Sequence, residues 1–122
     1  MRGGGSATYN TEDFGAELEK APTNHDVGTT LWFENEHVRV WEVRLEPGQR
    51  APFHSHGQTY FWTCIDPGKG FQRFPDGTAQ AFDFELGETV FSTITADDPM
   101  IHDLENTDEN LVRFVAIELK DL

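Results

Sequence analysis

Gly48-Gln49-Arg50-Ala51-Pro52-Phe53-His54-Ser55-His56 is the stretch whose reading decides the fold. A turn glycine leads, through five residues, into a His-x-His pair, and a further histidine, His102, stands before Asn106. Alternate side chains of a β-strand point to the same face, so His54 and His56 present two imidazoles to one point. A third imidazole arriving from another strand would complete a facial set of nitrogen ligands. Neutral imidazole suits zinc, iron, nickel and copper, so the pattern reads as a transition-metal site. Alone, His-x-His is common on ordinary surfaces, and the weight of the reading rests on its surroundings.

Working outward, the chain is punctuated by turns at nearly even spacing. Stretches 29–34 and 38–45 are rich in β-branched and aromatic residues, and Glu46-Pro47-Gly48 closes the second. Extended segments follow at 54–56, 58–65, 70–74, 78–84, 89–95, 101–105 and 111–118. Turn signals separate several of them: Asp66-Pro67-Gly68, Pro75-Asp76-Gly77-Thr78 and Leu86-Gly87-Glu88. Eight or nine short strands predict an all-β barrel or sandwich.

Residues 1–28 have a different character and are set apart as a flexible or partly ordered segment. Met1–Ser6 reads as a linker or a remnant of cloning and is left out of the fold. Thr11–Lys20 predicts one short helix, with Thr11 as N-cap and Phe14 and Leu18 on one face. His25 is expected as a solvent-exposed bystander.

With 122 residues there is one domain and one core. Nine basic against 22 acidic residues leave a net charge of −13, which repels phosphate backbones and disfavours nucleic acid as a partner. No apolar run approaches a membrane span and no signal peptide is evident, so no membrane role and a cytoplasmic location are expected. The lone Cys64 has no partner for an internal disulfide and reads as an inert core thiol.

If no bulge intervenes, Gln58, Tyr60, Trp62 and Cys64 share parity with His54 and His56. They would face one interior, making an apolar pocket with a polar floor. Trp62 is expected as core filler, while Tyr60 is either filler or a cavity residue. Gln58 either caps the strand start or hydrogen-bonds a substrate. Arg50 and Arg73 are candidate carboxylate anchors, for which surface placement is the expectation. His37, at a turn, is expected outside the site.

With these residues in place, the chain resembles the cupin superfamily over about residues 29–119. Gly48, five residues and His54-Ser55-His56, then Gly68, match the first cupin motif; Gly87, His102 and Asn106 match the second. The resemblance implies a single-domain jelly-roll β-barrel, a small-molecule substrate and pairing into a homodimer. It also implies one divalent transition metal on His54, His56 and His102: iron(II) first, with zinc, nickel or manganese as alternatives. Two departures stand out. The motif's glutamate falls on Tyr60, or on Phe61 with longer spacing, and the Pro-x-Gly segment is replaced around Asp98-Pro99-Met100. Without that carboxylate the ion keeps its full double charge, favouring an anionic, bidentate substrate. Such three-histidine sites resemble those of cupin thiol dioxygenases and of the cupin that cleaves β-diketones. That likeness gives Tyr60 a candidate catalytic role and suggests a dioxygenase, with Gln58 a second catalytic candidate by parity. A metal-dependent isomerase, lyase or cyclase would use the same ligands, and a non-catalytic binding cupin would need none of the chemistry.

Overall fold

Alternation of inward and outward side chains shapes nearly the whole chain. The computed structural model describes residues 2–120, with side chains from residue 5 onward. Its strands are β1 (Arg2–Thr8), β2 (Thr30–Glu34), β3 (Val38–Leu45), β4 (Arg50–His56), β5 (Tyr60–Asp66), β6 (Gly68–Arg73), β7 (Thr78–Phe84), β8 (Thr89–Ser92), β9 (Met100–Asn106) and β10 (Val112–Leu119). All pair antiparallel in two five-stranded sheets, ordered β1-β7-β6-β9-β4 and β2-β3-β10-β5-β8. The expected jelly roll thus takes the form of two facing sheets. The turn glycines serve as their chemistry suggests: Gly48, Gly77 and Gly87 have φ of +81, +90 and +79°, where a side chain would be strained. No helix among the described residues is long and apolar enough to cross a membrane.

The core lies between the sheets. Trp41, Val43 and Leu45 of β3 meet Phe82 and Phe84 of β7 and Val112, Phe114 and Ala116 of β10. Phe84 packs edge-on to Phe82 and Phe114, with ring centroids 4.5 and 4.4 Å apart. Gly70 makes room for this cluster, since a Cβ there would lie 2.5 Å from Phe84 Cε2.

The lead-in is more ordered than its composition suggests. Arg2–Thr8, which takes in most of the Met1–Ser6 stretch expected outside the fold, pairs with β7 as a sheet edge. The single helix expected over Thr11–Lys20 is a 3-10 turn, Thr11–Phe14, followed by α1, Gly15–Lys20. Its cap is Asn10, whose side chain accepts from Glu12 N at 3.0 Å, and not Thr11. Beyond α1 the chain crosses the free edge of β4. Ser55 N donates to Asn24 O at 2.8 Å, and Asn24 Nδ2 donates to Phe53 O at 3.0 Å. This places Val27, 4% exposed, in the gap between the sheets.

Glu118, at the inward parity of β10, is the unusual member of this interior. It is 2% exposed; Trp41 Nε1 donates to its Oε1 at 2.8 Å, and Arg39 Nη1 lies 3.3 Å away. Burial lifts its carboxyl above the usual range, outweighing the indole and guanidinium that favour the anion. A raised folded-state pKa contributes stability that is complete below the unfolded value and is lost as pH rises through the folded one. Relative to Glu118→Gln, the wild-type chain is therefore expected to lose stability as pH rises above the ordinary glutamate range of about 4. Urea midpoints across that rise check it; parallel curves for the two proteins would count against it.

Candidate metal centre

The local reason that the histidines converge is a β-bulge. In the β4–β9 ladder Ala51 pairs with Leu104 and His54 with His102, so three steps on β4 answer two on β9. The additional residue falls at Pro52-Phe53, where proline's missing N–H costs no ladder bond. Parity therefore switches: Ala51 faces the core, Phe53 turns to the outer face against Phe14, and His54 and His56 swing inward. His54 then stands directly across from His102.

All three Nε2 atoms meet. His54 Nε2 lies 3.1 Å from His56 Nε2, which lies 3.1 Å from His102 Nε2. The other ring nitrogens set the tautomers. His54 Nδ1 donates to Pro52 O at 2.7 Å, and His102 Nδ1 donates to Gln72 Oε1 at 2.7 Å. Those two Nε2 atoms are thus bare lone pairs. Burial lowers the pKa of His54, and burial with the neighbouring imidazoles holds His56 and His102 well below the ordinary value. Neutral imidazole is the ligand form. His56 Nε2 stands 3.1 Å from the Nε2 of each of His54 and His102, and this spacing matches metal–nitrogen bonds of about 2.1 Å to one ion. These residues fit a divalent metal. His54, His56 and His102 are the cluster of metal-ligating side chains found among the described residues.

Tyr60 lines the same cavity, and its ring stacks on His56 with centroids 4.1 Å apart and planes 14° from parallel. Burial drives its phenol well above the ordinary pKa, against a hydrogen bond with Ser92 that lowers it, so it stays protonated. Trp62 also lines the cavity while packing on Phe84 and Phe114. Cys64 is 1% exposed and its thiol is pushed up to about 11 by burial, so it is an unreactive core residue.

Gln58 is elsewhere. Residues 57–59 form a loop between β4 and β5, so strand parity does not carry through them. Gln58 lines an outer cleft with Phe91, Ile94 and Lys120. The amide at the site is Gln72 on β6, which the sequence reading passed over. Arg50 and Arg73 lie on the outer face, where both bind Asp103; Arg50 also holds Glu17, and Arg73 holds Glu105. Neither lines the cavity. His37 is exposed at its turn and His25 is exposed on the lead-in.

Asn106, the asparagine of the His102 motif, has a structural part. Asn106 Nδ2 donates to Leu45 O at 2.8 Å and Asn110 O at 2.9 Å, and Asn106 O accepts from Gly48 N at 3.0 Å. The histidines of both motifs therefore lie on one strand pair, joined at Gly48–Asn106 and at His54–His102.

Solved structures share this architecture. A cupin domain from Bordetella pertussis Tohama I is 25% identical with a TM-score of 0.66, over 75% of this chain and 90% of that one. A double-stranded β-helix protein from Klebsiella pneumoniae is 16% identical with a TM-score of 0.60, over 84% and 86%. A cupin superfamily protein from Desulfitobacterium hafniense DCB-2 is 11% identical with a TM-score of 0.55, over 99% and 83%. No protein-family profile and no curated protein matches the sequence. The chain thus has the cupin fold, with a three-histidine cluster between its sheets.

Proposed function

We propose that the chain is a three-histidine, non-haem iron(II) cupin that oxygenates a small anionic chelating substrate. The observation that carries this reading is the meeting of three neutral Nε2 atoms in a mostly apolar cavity without a carboxylate among them. A bound ferrous ion would supply Lewis acidity and reactivity toward dioxygen. The chain's own residues do the rest. Pro52 O and Gln72 hold two imidazoles in the ligating tautomer, and Tyr60 steadies the third by stacking. The Tyr60 phenol, kept protonated, is a hydrogen-bond donor as negative charge develops on the substrate. Aromatic walls exclude water. The test is to load apo-protein separately with iron, nickel and zinc and screen keto acids and diketones in an oxygen electrode. Turnover only with iron and oxygen is expected. Equal turnover with zinc under nitrogen would replace the oxygenase with an isomerase, lyase or cyclase, and silence throughout would favour a binding protein.

We propose, too, that β2 is the seam of a homodimer. It is an edge strand paired on one side only, and Leu31, Trp32 and Phe33 are 41, 49 and 53% exposed. Apolar groups on both faces of an open edge invite another strand. Sedimentation equilibrium should give twice the chain mass, reduced to one by Phe33→Lys. A wild-type monomer at tens of micromolar would rule it out.

A further inference from the structure

The cavity around the histidines is selective in its chemistry, and this bears on what enters it. Its volume is about 60 Å³, which confines it to small molecules. Nine of its fourteen lining residues are aliphatic or aromatic, with Val43, Phe82, Phe84, Leu104 and Phe114 making much of the wall. The polar members are the three histidines, Tyr60 and Gln72. Two of the imidazoles already have their Nδ1–H engaged, His54 on Pro52 and His102 on Gln72, which leaves the Tyr60 phenol as the wall's hydroxyl donor. His56 Nδ1 is buried with no partner, which underlines how little polar company the wall offers.

No lysine or arginine lines the cavity. The arginines nearest in sequence are committed elsewhere. Arg50 and Arg73 clasp Asp103 on the far face of the sheet, and Arg39 lies 3.3 Å from Glu118. A charged group placed beyond the metal-binding donors would be desolvated with nothing to pair it. The net charge of −13 adds to this by repelling a dianion more than a monoanion.

We propose that the substrate is a small chelator with one anionic end and a wholly apolar remainder, such as a short monocarboxylic 2-keto acid. Substrates with another charge beyond the chelating donors, such as dicarboxylic keto acids, amino acids or phosphorylated sugars, are excluded. This rests on the reading of the three histidines as metal ligands, so the experiment separates the two. The full-length chain is loaded with cobalt(II), and its visible spectrum is titrated with 2-oxopentanoate and with 2-oxopentanedioate. Both have the same five-carbon chain; one ends in a methyl group, the other in a carboxylate. Their affinities for free cobalt(II) are measured in parallel and divided out.

The methyl-terminated acid should bind at least about 100-fold more tightly, the consequence of leaving a carboxylate unpaired in an apolar wall. Equal affinities, a preference for the dianion, or no spectral response to either would overturn the proposal while the protein–cobalt spectrum stands. If no such spectrum forms, or if His54→Ala with His56→Ala leaves it intact, the metal reading itself fails and this proposal falls with it.

Discussion

Replacing His54 and His56 together by alanine is expected to abolish metal binding. One imidazole, His102, would remain, and a single neutral nitrogen is a poor chelator. In the wild-type chain a saturating divalent ion at about 100 times its dissociation constant should stabilise the fold by about 2.7 kcal/mol, because the unfolded chain does not assemble the site. The double variant should show no shift in unfolding temperature with metal and no metal by elemental analysis. A graded case lies beside it. Gln72→Ala keeps all three ligands but removes the acceptor that holds His102 Nδ1, 2.7 Å away. Loss of such a partner typically weakens metal binding about 10- to 100-fold. One equivalent of metal in the double variant would place the site elsewhere. Unchanged affinity in Gln72→Ala would show that His102 is oriented by its packing alone.

That contrast between the histidines and Gln72 marks how far the sequence could be read. The His-x-His pair needed only strand periodicity, and His102 with Asn106 supplied the spacing of a partner. The histidines of the two motifs fall on β4 and β9, which are paired, so their joint appearance reflects one ladder. The bulge at Pro52-Phe53 leaves no certain sign in sequence, and counting parity from His54 forward happened not to cross it. The count did cross the 57–59 loop. Tyr60, Trp62 and Cys64 regain the inward phase beyond it, whereas Gln58, inside it, does not. Gln72 was hidden for a different reason. On β6 the apolar Phe71 is on the outer face, its ring 4.9 Å under the Arg73 guanidinium, while Gln72 is 7% exposed on the inner one. Hydrophobicity therefore orients that strand backwards. The lead-in escaped notice because backbone pairing, not composition, holds much of it: a Gly-rich β1 against β7, and Asn24 against the edge of β4.

Asp103→Ala is expected to be the most destabilising single substitution on the outer face. Asp103 alternates with His102 on β9, so its carboxylate points away from the cavity, and it is 0% exposed. It accepts from Arg50 Nε at 2.6 Å, Arg73 N at 2.7 Å and Arg73 Nη1 at 2.9 Å. Removing it leaves two guanidinium groups without their shared anion and a backbone N–H without an acceptor. Breaking a buried pair in this way costs about 3–5 kcal/mol. Arg50 and Arg73 retain 22 and 15% side-chain exposure, and Glu17 and Glu105 still reach them, which places the expected loss near about 3 kcal/mol. Asp103→Asn, which keeps an acceptor for Arg73 N, should fall between. Arg50 also ties α1 to β4 through Glu17, and its guanidinium lies 4.5 Å over the Phe14 ring. The lead-in should therefore become more open to proteolysis in the alanine variant. The three Nε2 atoms sit on the opposite face of the sheet, so metal stoichiometry of the folded variant should stay at one per chain. Urea unfolding, limited proteolysis and elemental analysis separate these effects. A loss below about 1 kcal/mol would show that Asp103 is held in place by the arginines without holding the sheet face together.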